Sequence, residues 1–355
     1  MKENEGRDGS AMQMITEADF RRQLKNGLSG GYLFFGDEDY LKQLDLDAAR
    51  KTVAPDEAFA FFNDLRLDAL DFSPSKLLDA LMPLPMGAEQ KIVTLTGLAV
   101  DAMRPSELDA LCDALAAINE YDYNVVILSV PSGLLNPGIL PKRPSAALTK
   151  LSQHLTPVHF ERSTPSRLAS WCGKHFEHNK VSASPEVCRL VVELCGSDMF
   201  VLSGEIDKIS YYVLADGKTA VTEDDVRYVA ISSTEHDAFA FANALMEGRN
   251  TDALTILADM KRRRIEPIVA LSEITRVFCD LYTVFTWTEG GVSIYDVQKR
   301  LKFHEYKARL YQKSAVQSGA RRLLHALSLT TEADILLKQS PSDGYAAIER
   351  VICAL

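Results

Sequence analysis

Gly31 and Gly36 have the spacing of the two glycines in a phosphate-binding loop, GxxxxGK[ST]. In such a loop backbone amides cradle the phosphates, a lysine neutralises them and a hydroxyl holds magnesium. Here Asp37 and Glu38 stand where the lysine and the hydroxyl belong. Two carboxylates repel a triphosphate, and Tyr32–Phe35 reads as the strand itself, which leaves too little chain for the loop. These residues argue against nucleotide hydrolysis at this place, and no cofactor is expected. Asp37, Glu38 and Asp39 are better read as the start of a helix, where carboxylates favour the dipole. As a catalytic or metal-binding cluster they are poorly arranged, since neighbours at a helix start point different ways and no histidine accompanies them.

Cys172-Gly-Lys-His175-Phe-Glu-His178 has the composition of a metal site. On a helix, however, His178 lies about 120° from Cys172, and no fourth ligand is near in sequence. No metal is expected. Neither GxSxG nor HExxH occurs. The six cysteines are scattered with no CxxC, which fits reduced, mostly buried thiols rather than a disulfide framework. Lys261-Arg262-Arg263-Arg264 is the one dense basic run. It offers candidate DNA contacts through phosphate, or else a solvated helix C-terminus where cations are favoured.

The segment Leu81-Met-Pro-Leu-Pro-Met-Gly87 is the most informative. A short polar turn is expected between a helix and a strand, and instead there are two prolines and four large apolar residues. Proline stiffens the segment, so apolar tips can be presented at low ordering cost. Either part of it folds back on the core, or it is an exposed wedge for a pocket on a protein partner, a role that Met and Leu suit.

These pieces are carried by two architectures joined near residue 160. Eleven of the 14 prolines lie at or before Pro165. The first part alternates strands and helices. A capping box at Thr16–Asp19 opens a helix to about Leu28. Strands are read at Tyr32–Phe35, Ala58–Leu67, Lys91–Leu95, Asn124–Val130 and near Val158–Phe160. Helices are read over Glu38–Val53, from Ser73-Pro74 to about Met82, and from Pro105 to about Asn119. Pro131–Pro144 reads as loop. Such alternation implies a parallel sheet with right-handed crossovers. The second part is all helix: near 165–178, 184–195, 198–215 and 222–231, then a longer array to the C-terminus.

Composition bounds the rest. In 355 residues, 46% hydrophobic and 25% charged, two or three globular domains are expected. No apolar run approaches the roughly 18–20 residues that span a bilayer, so no membrane is expected. Met1–Met14 lacks an apolar stretch and reads as a loose tail rather than a secretory signal. The net charge is −10, which disfavours a general nucleic-acid binder. Residues 251–355 nevertheless hold 15 Lys+Arg against 12 Asp+Glu, enough for a modest basic patch.

The order of pieces resembles the delta subunit of the bacterial DNA polymerase III clamp loader. The likeness rests on Tyr32–Leu41, Leu84–Val93, Phe200–Ile209, Glu235–Phe241 and Thr331–Lys338, and runs from about residue 16 to 355. The resemblance implies α/β plus all-α architecture. An AAA+-like parallel-sheet domain without a P-loop would cover 16–162, after a disordered tail over 1–15. A small helical lid would cover 163–232, and a helical collar for oligomerisation 233–355. It implies a non-catalytic subunit of a polymerase holoenzyme that binds the ring-shaped sliding clamp and opens one interface for loading on primed DNA. Its partners would be the clamp (beta subunit), the ATPase and delta-prime subunits, and primed DNA within the complex. Its place would be the cytoplasmic replisome at the nucleoid. By match to the family's wedge, Met82, Leu84 and Met86 are the clamp contacts and Pro85 shapes the turn. The family commonly has a phenylalanine near this tip, and this chain has Pro85-Met86. The competing readings are an active AAA+ ATPase with an unusual site, a delta-prime-type subunit, and a DNA-binding module around Lys261–Arg264. A delta-prime type typically carries a zinc-binding cysteine group and a Ser-Arg-Cys motif, and neither is present.

Overall fold

The computed structural model describes residues 14–301, 303, 305–339 and 344–355. The chain divides into two compact units, with the boundary between Ser163 and Thr164.

The first unit is built on six parallel strands: β1 (Ile15–Thr16), β2 (Gly30–Gly36), β3 (Asp64–Asp68), β4 (Lys91–Thr96), β5 (Asn124–Ser129) and β6 (Thr156–Phe160). Their order across the sheet is β1-β6-β2-β5-β4-β3. Leu33 faces Leu128 and Pro157 across the β2–β5 and β2–β6 ladders, and Val93 faces Val126 in β4–β5. Five consecutive residues in each of β2, β4 and β5 are buried. This is the pattern of strands covered on both faces, and it explains why these strands read as unbroken apolar runs. Helices Glu17–Asn26, Asp39–Val53, Pro74–Leu81, Pro105–Ala116 and Ala146–Leu151 make the crossovers. The Thr16–Asp19 capping box is formed at both of its hydrogen bonds, and Ser73 caps the helix that Pro74 opens.

Two expectations are corrected here. Ala58–Leu67 is not one strand: a 3-10 turn at Glu57–Phe59 and a helical turn at Ala60–Asn63 precede β3. Asp56 starts that turn by accepting the Ala58 N–H at 2.9 Å, a local side-chain cap that outcompetes the ladder. Pro131–Pro144 is not wholly loop, since Gly138–Ile139 pairs antiparallel with Arg143–Pro144. Of the tail expected over 1–15, residues 1–13 lie outside the described residues, and Ile15 pairs with Val158 in the sheet.

The second unit is helical. Pro165–His178, Pro185–Cys195, Met199–Ala215 and Glu223–Val229 come first, with a two-stranded parallel pair, Ser182–Ala183 and Ala220–Val221. Thr234–Met246, Asn250–Arg262, Pro267–Glu289, Ile294–Leu301, Glu305–Gln339 and Gly344–Ala354 follow. These later helices bury a core of their own around Phe241, Leu257, Ile274, Phe278, Leu323 and Ile348. Glu305–Gln339 is kinked at Gly319, whose φ of 72° is not helical. Among the described residues no helix is long and apolar enough to cross a membrane.

Candidate partner-binding wedge and the closed phosphate site

In a parallel sheet, ligands bind beyond the C-terminal ends of the strands, and there this molecule fills its own site. The N–H groups of Asp37 and Glu38 both donate to the carbonyl of Phe160, at 2.9 and 3.3 Å. These are the amides a phosphate would need. Lys42, 2% exposed, supplies a cation from within. Its Nζ donates to the carbonyls of Gly36 at 2.9 Å and Val130 at 2.7 Å, and pairs with Asp39 at 2.7 Å. Burial lowers the Lys42 pKa and Asp39 opposes the shift. Asp39 also accepts the Ser132 N–H. Gly36 is required at its position: φ is 114°, and a Cβ there would lie 2.3 Å from the Phe160 carbonyl oxygen. Donors and acceptors that could hold a nucleotide are thus spent on one another.

The apolar segment lies at the opposite edge of the sheet, where β3, β4 and β5 begin. The helix Pro74–Leu81 is anchored by Leu77 and Leu81, both fully buried. Past it the side chains turn outward: Met82, Leu84 and Met86 are 55%, 75% and 47% exposed. Pro85 is half-buried between them. The last carbonyls of a helix have no partner within it. Here strand heads supply partners. Lys91, first residue of β4, donates through Nζ to the carbonyls of Ala80 (2.7 Å) and Pro83. Asn124, first residue of β5, donates to Leu81 at 3.1 Å. The Tyr123 hydroxyl donates to Met82 at 2.6 Å. Asn63, immediately before β3, takes Met86 at both ends: its Nδ2 donates to the Met86 carbonyl, and its Oδ1 accepts the Met86 N–H, each at 2.8 Å. Gly87, at φ 67°, lets the chain turn under the Phe59 ring, which would sit 3.1 Å from a Cβ.

The ammonium of Lys91 is buried, and this pushes its pKa down to about 8. A cation beside a helix C-terminus suits the dipole, which offsets part of that burial. The result is a backbone tied from behind at Ala80, Leu81, Met82, Pro83 and Met86, with apolar side chains presented in front. The apolar segment of Met82, Leu84, Pro85 and Met86 stands out in the sequence, whereas the residues behind it, Asn63, Lys91, Tyr123 and Asn124, do not. A signal existed: Lys91 and Asn124 are polar residues at the heads of otherwise apolar, buried strands.

The other candidate residues are dispersed. His175 pairs with Asp207 at 2.9 Å. Cys172 is buried near Cys188 and Cys195, and burial pushes its thiol up to about 12. Among the described residues no group of three or more His, Cys, Asp and Glu is placed to hold a metal. The basic run ends the helix Asn250–Arg262. Arg263 turns inward, paired with Asp237 and donating to the Ser232 carbonyl at 2.7 Å. Lys261 lies over the Tyr345 ring at 5.6 Å. Arg262, on the solvent side, pairs with Asp259 at 2.5 Å. Arg264 takes a left-handed backbone, φ 57°, as the helix stops.

The chain is thus an α/β unit on a six-stranded parallel sheet, followed by a mainly helical unit. Residues 235–355 match the family model for the C-terminal domain of the DNA polymerase III delta subunit. The DNA polymerase III subunit delta of Bacillus subtilis (strain 168) is 20% identical over 346 residues, covering 95% of this chain and 96% of that protein. The solved structure of the Bacillus subtilis DNA clamp loader delta protein superposes with a TM-score of 0.64 at 19% identity, over 95% of this chain and 98% of that one. The resemblance to DNA polymerase III delta subunits therefore stands: it spans almost the whole chain, and residues 235–355 match the model of their C-terminal domain.

Proposed function

We propose that this chain is a clamp-loader subunit that binds the sliding clamp through Met82, Leu84 and Met86 and opens one interface of the ring for loading on primed DNA. The observation that carries the reading is the wedge itself. Three large apolar side chains are held in solvent by a backbone fastened behind them. A rigid apolar projection of this kind loses little entropy on docking, and each anchor is worth about 2 kcal/mol or more if it fills a pocket. Opening needs no chemistry from this chain. A subunit that binds the open form of the clamp better than the closed form shifts the ring toward opening, by no more than that difference in affinity. The closed phosphate site fits a chain that leaves ATP hydrolysis to ATPase partners. The helices from 163 to 232 then serve as a lid. Those from 233 to 355 serve as a collar that packs with the ATPase and delta-prime subunits in a cytoplasmic loader. Lys261, Arg262 and Arg264 remain candidate DNA contacts, whereas Arg263 is engaged with Asp237.

The test is binding of the purified chain to its own clamp, beside a Leu84→Ala/Met86→Ala variant. Loss of binding in a folded variant supports the wedge. Failure of the intact chain to bind overturns the reading.

A further inference from the structure

We propose that Phe61 and Phe62 form a second, aromatic anchor for the same clamp, so that the contact surface is built from two chain segments. This second anchor rests on the clamp-binding reading above.

Phe61 is 83% exposed and Phe62 47%. Their rings pack on each other in the edge-to-face manner, with centroids 5.3 Å apart. Two adjacent phenylalanines left largely in water forgo the free energy of burial, so the arrangement calls for an occupant. What identifies the occupant is the next residue. Asn63 is the side chain that grips Met86 at N–H and carbonyl, both at 2.8 Å. Two residues earlier on the other side, the Phe59 ring lies against Gly87. The turn 59–63 and the wedge 82–87 are therefore fastened together on either side of the two exposed rings, and a body seated on Met86 meets that turn as well. The wedge carries Met, Leu and Pro but no aromatic ring. Its neighbour supplies the rigid, flat apolar area that dominates well-packed contacts.

The experiment compares clamp binding by the full chain, Phe61→Ala, Phe62→Ala and Leu84→Ala/Met86→Ala, and adds a photo-crosslinking benzoylphenylalanine at position 61. The expected result is a loss of about tenfold or more in affinity for Phe61→Ala, with an unchanged unfolding midpoint and capture of the clamp by the crosslinker. Wild-type affinity in both phenylalanine variants beside lost binding in Leu84→Ala/Met86→Ala would overturn the second anchor and leave the wedge intact. A weakened Phe61→Ala without capture would also overturn it, by showing an indirect effect through Asn63. If the unaltered chain fails to bind the clamp, the clamp reading falls first and the second anchor with it.

Discussion

Asn63 closes a two-sided hydrogen-bonded clasp on the backbone of Met86, 23 residues further on, at 2.8 Å for each bond. The clasp joins the residue before β3 to the tip of the wedge. Asn63→Ala leaves the Met86 N–H and carbonyl without their partner, and is expected to cost about 1–3 kcal/mol of stability. Clamp affinity should fall too, although no contact residue has changed, because the wedge loses its preorganisation. Asn63→Asp should be worse for the wedge, since it keeps the acceptor but sets a carboxylate against the Met86 carbonyl. Denaturant unfolding and clamp titration of both variants check this. Wild-type affinity in Asn63→Ala would show that the clasp does not position the wedge.

Lys91 gives a pH dependence with a definite sign. Its folded pKa is pushed down to about 8 by burial, from an ordinary 10.5. Between those values the unfolded chain binds more protons than the folded one, so this residue makes stability rise with pH. Below pH 8 both states are protonated and the contribution is flat. Relative to Lys91→Met, which cannot titrate, wild-type stability should therefore climb from pH 8 toward 10.5. In Lys91→Met the Ala80 and Pro83 carbonyls lose their donor, and amide exchange across 82–87 should quicken. A wild-type stability that falls relative to Lys91→Met over the same window would contradict the assignment.

The residues of the closed phosphate site explain how far the sequence could be read. Asp37 and Glu38 in place of Lys and Ser/Thr were visible at once, because the motif is local. That the amides of those residues are bonded to Phe160 was not visible, because Phe160 lies 123 and 122 positions away and is brought there by the register of β2 on β6. The wedge divides the same way. Its apolar tips are local sequence, whereas its supports stand at the heads of β3, β4 and β5 and meet only in the folded sheet. The Ala58–Leu67 segment has strand-like apolar patterning, but Asp56 and Asn63 make side-chain bonds there that such patterning does not register.

The closed phosphate site carries an expectation of its own. Asp37→Lys/Glu38→Thr restores the residue types of a phosphate loop, yet it should not bind a fluorescent ATP analogue. The amides of 37 and 38 and the cation of Lys42 are already engaged. Measurable binding by the variant would show that sequence alone closed the site.

The basic run should split by position. Arg263→Ala breaks a largely buried pair with Asp237 and should cost about 2–4 kcal/mol in unfolding. Lys261→Ala, Arg262→Ala and Arg264→Ala should leave the fold nearly intact. If the run touches DNA, these three weaken DNA binding by the assembled loader and flatten its salt dependence. A salt slope identical to wild type in the triple variant would remove the run from the DNA interface.

The proposed clamp-opening role requires one thermodynamic preference, tighter binding to an opened ring. The direct measurement is its affinity for the intact clamp ring against its affinity for clamp protomers whose ring interface has been disrupted by mutation, by calorimetry under one buffer. Tighter binding to the disrupted form is predicted, with the difference abolished in Leu84→Ala/Met86→Ala. Equal affinities would contradict the opening role, because a ligand that binds two states equally shifts neither.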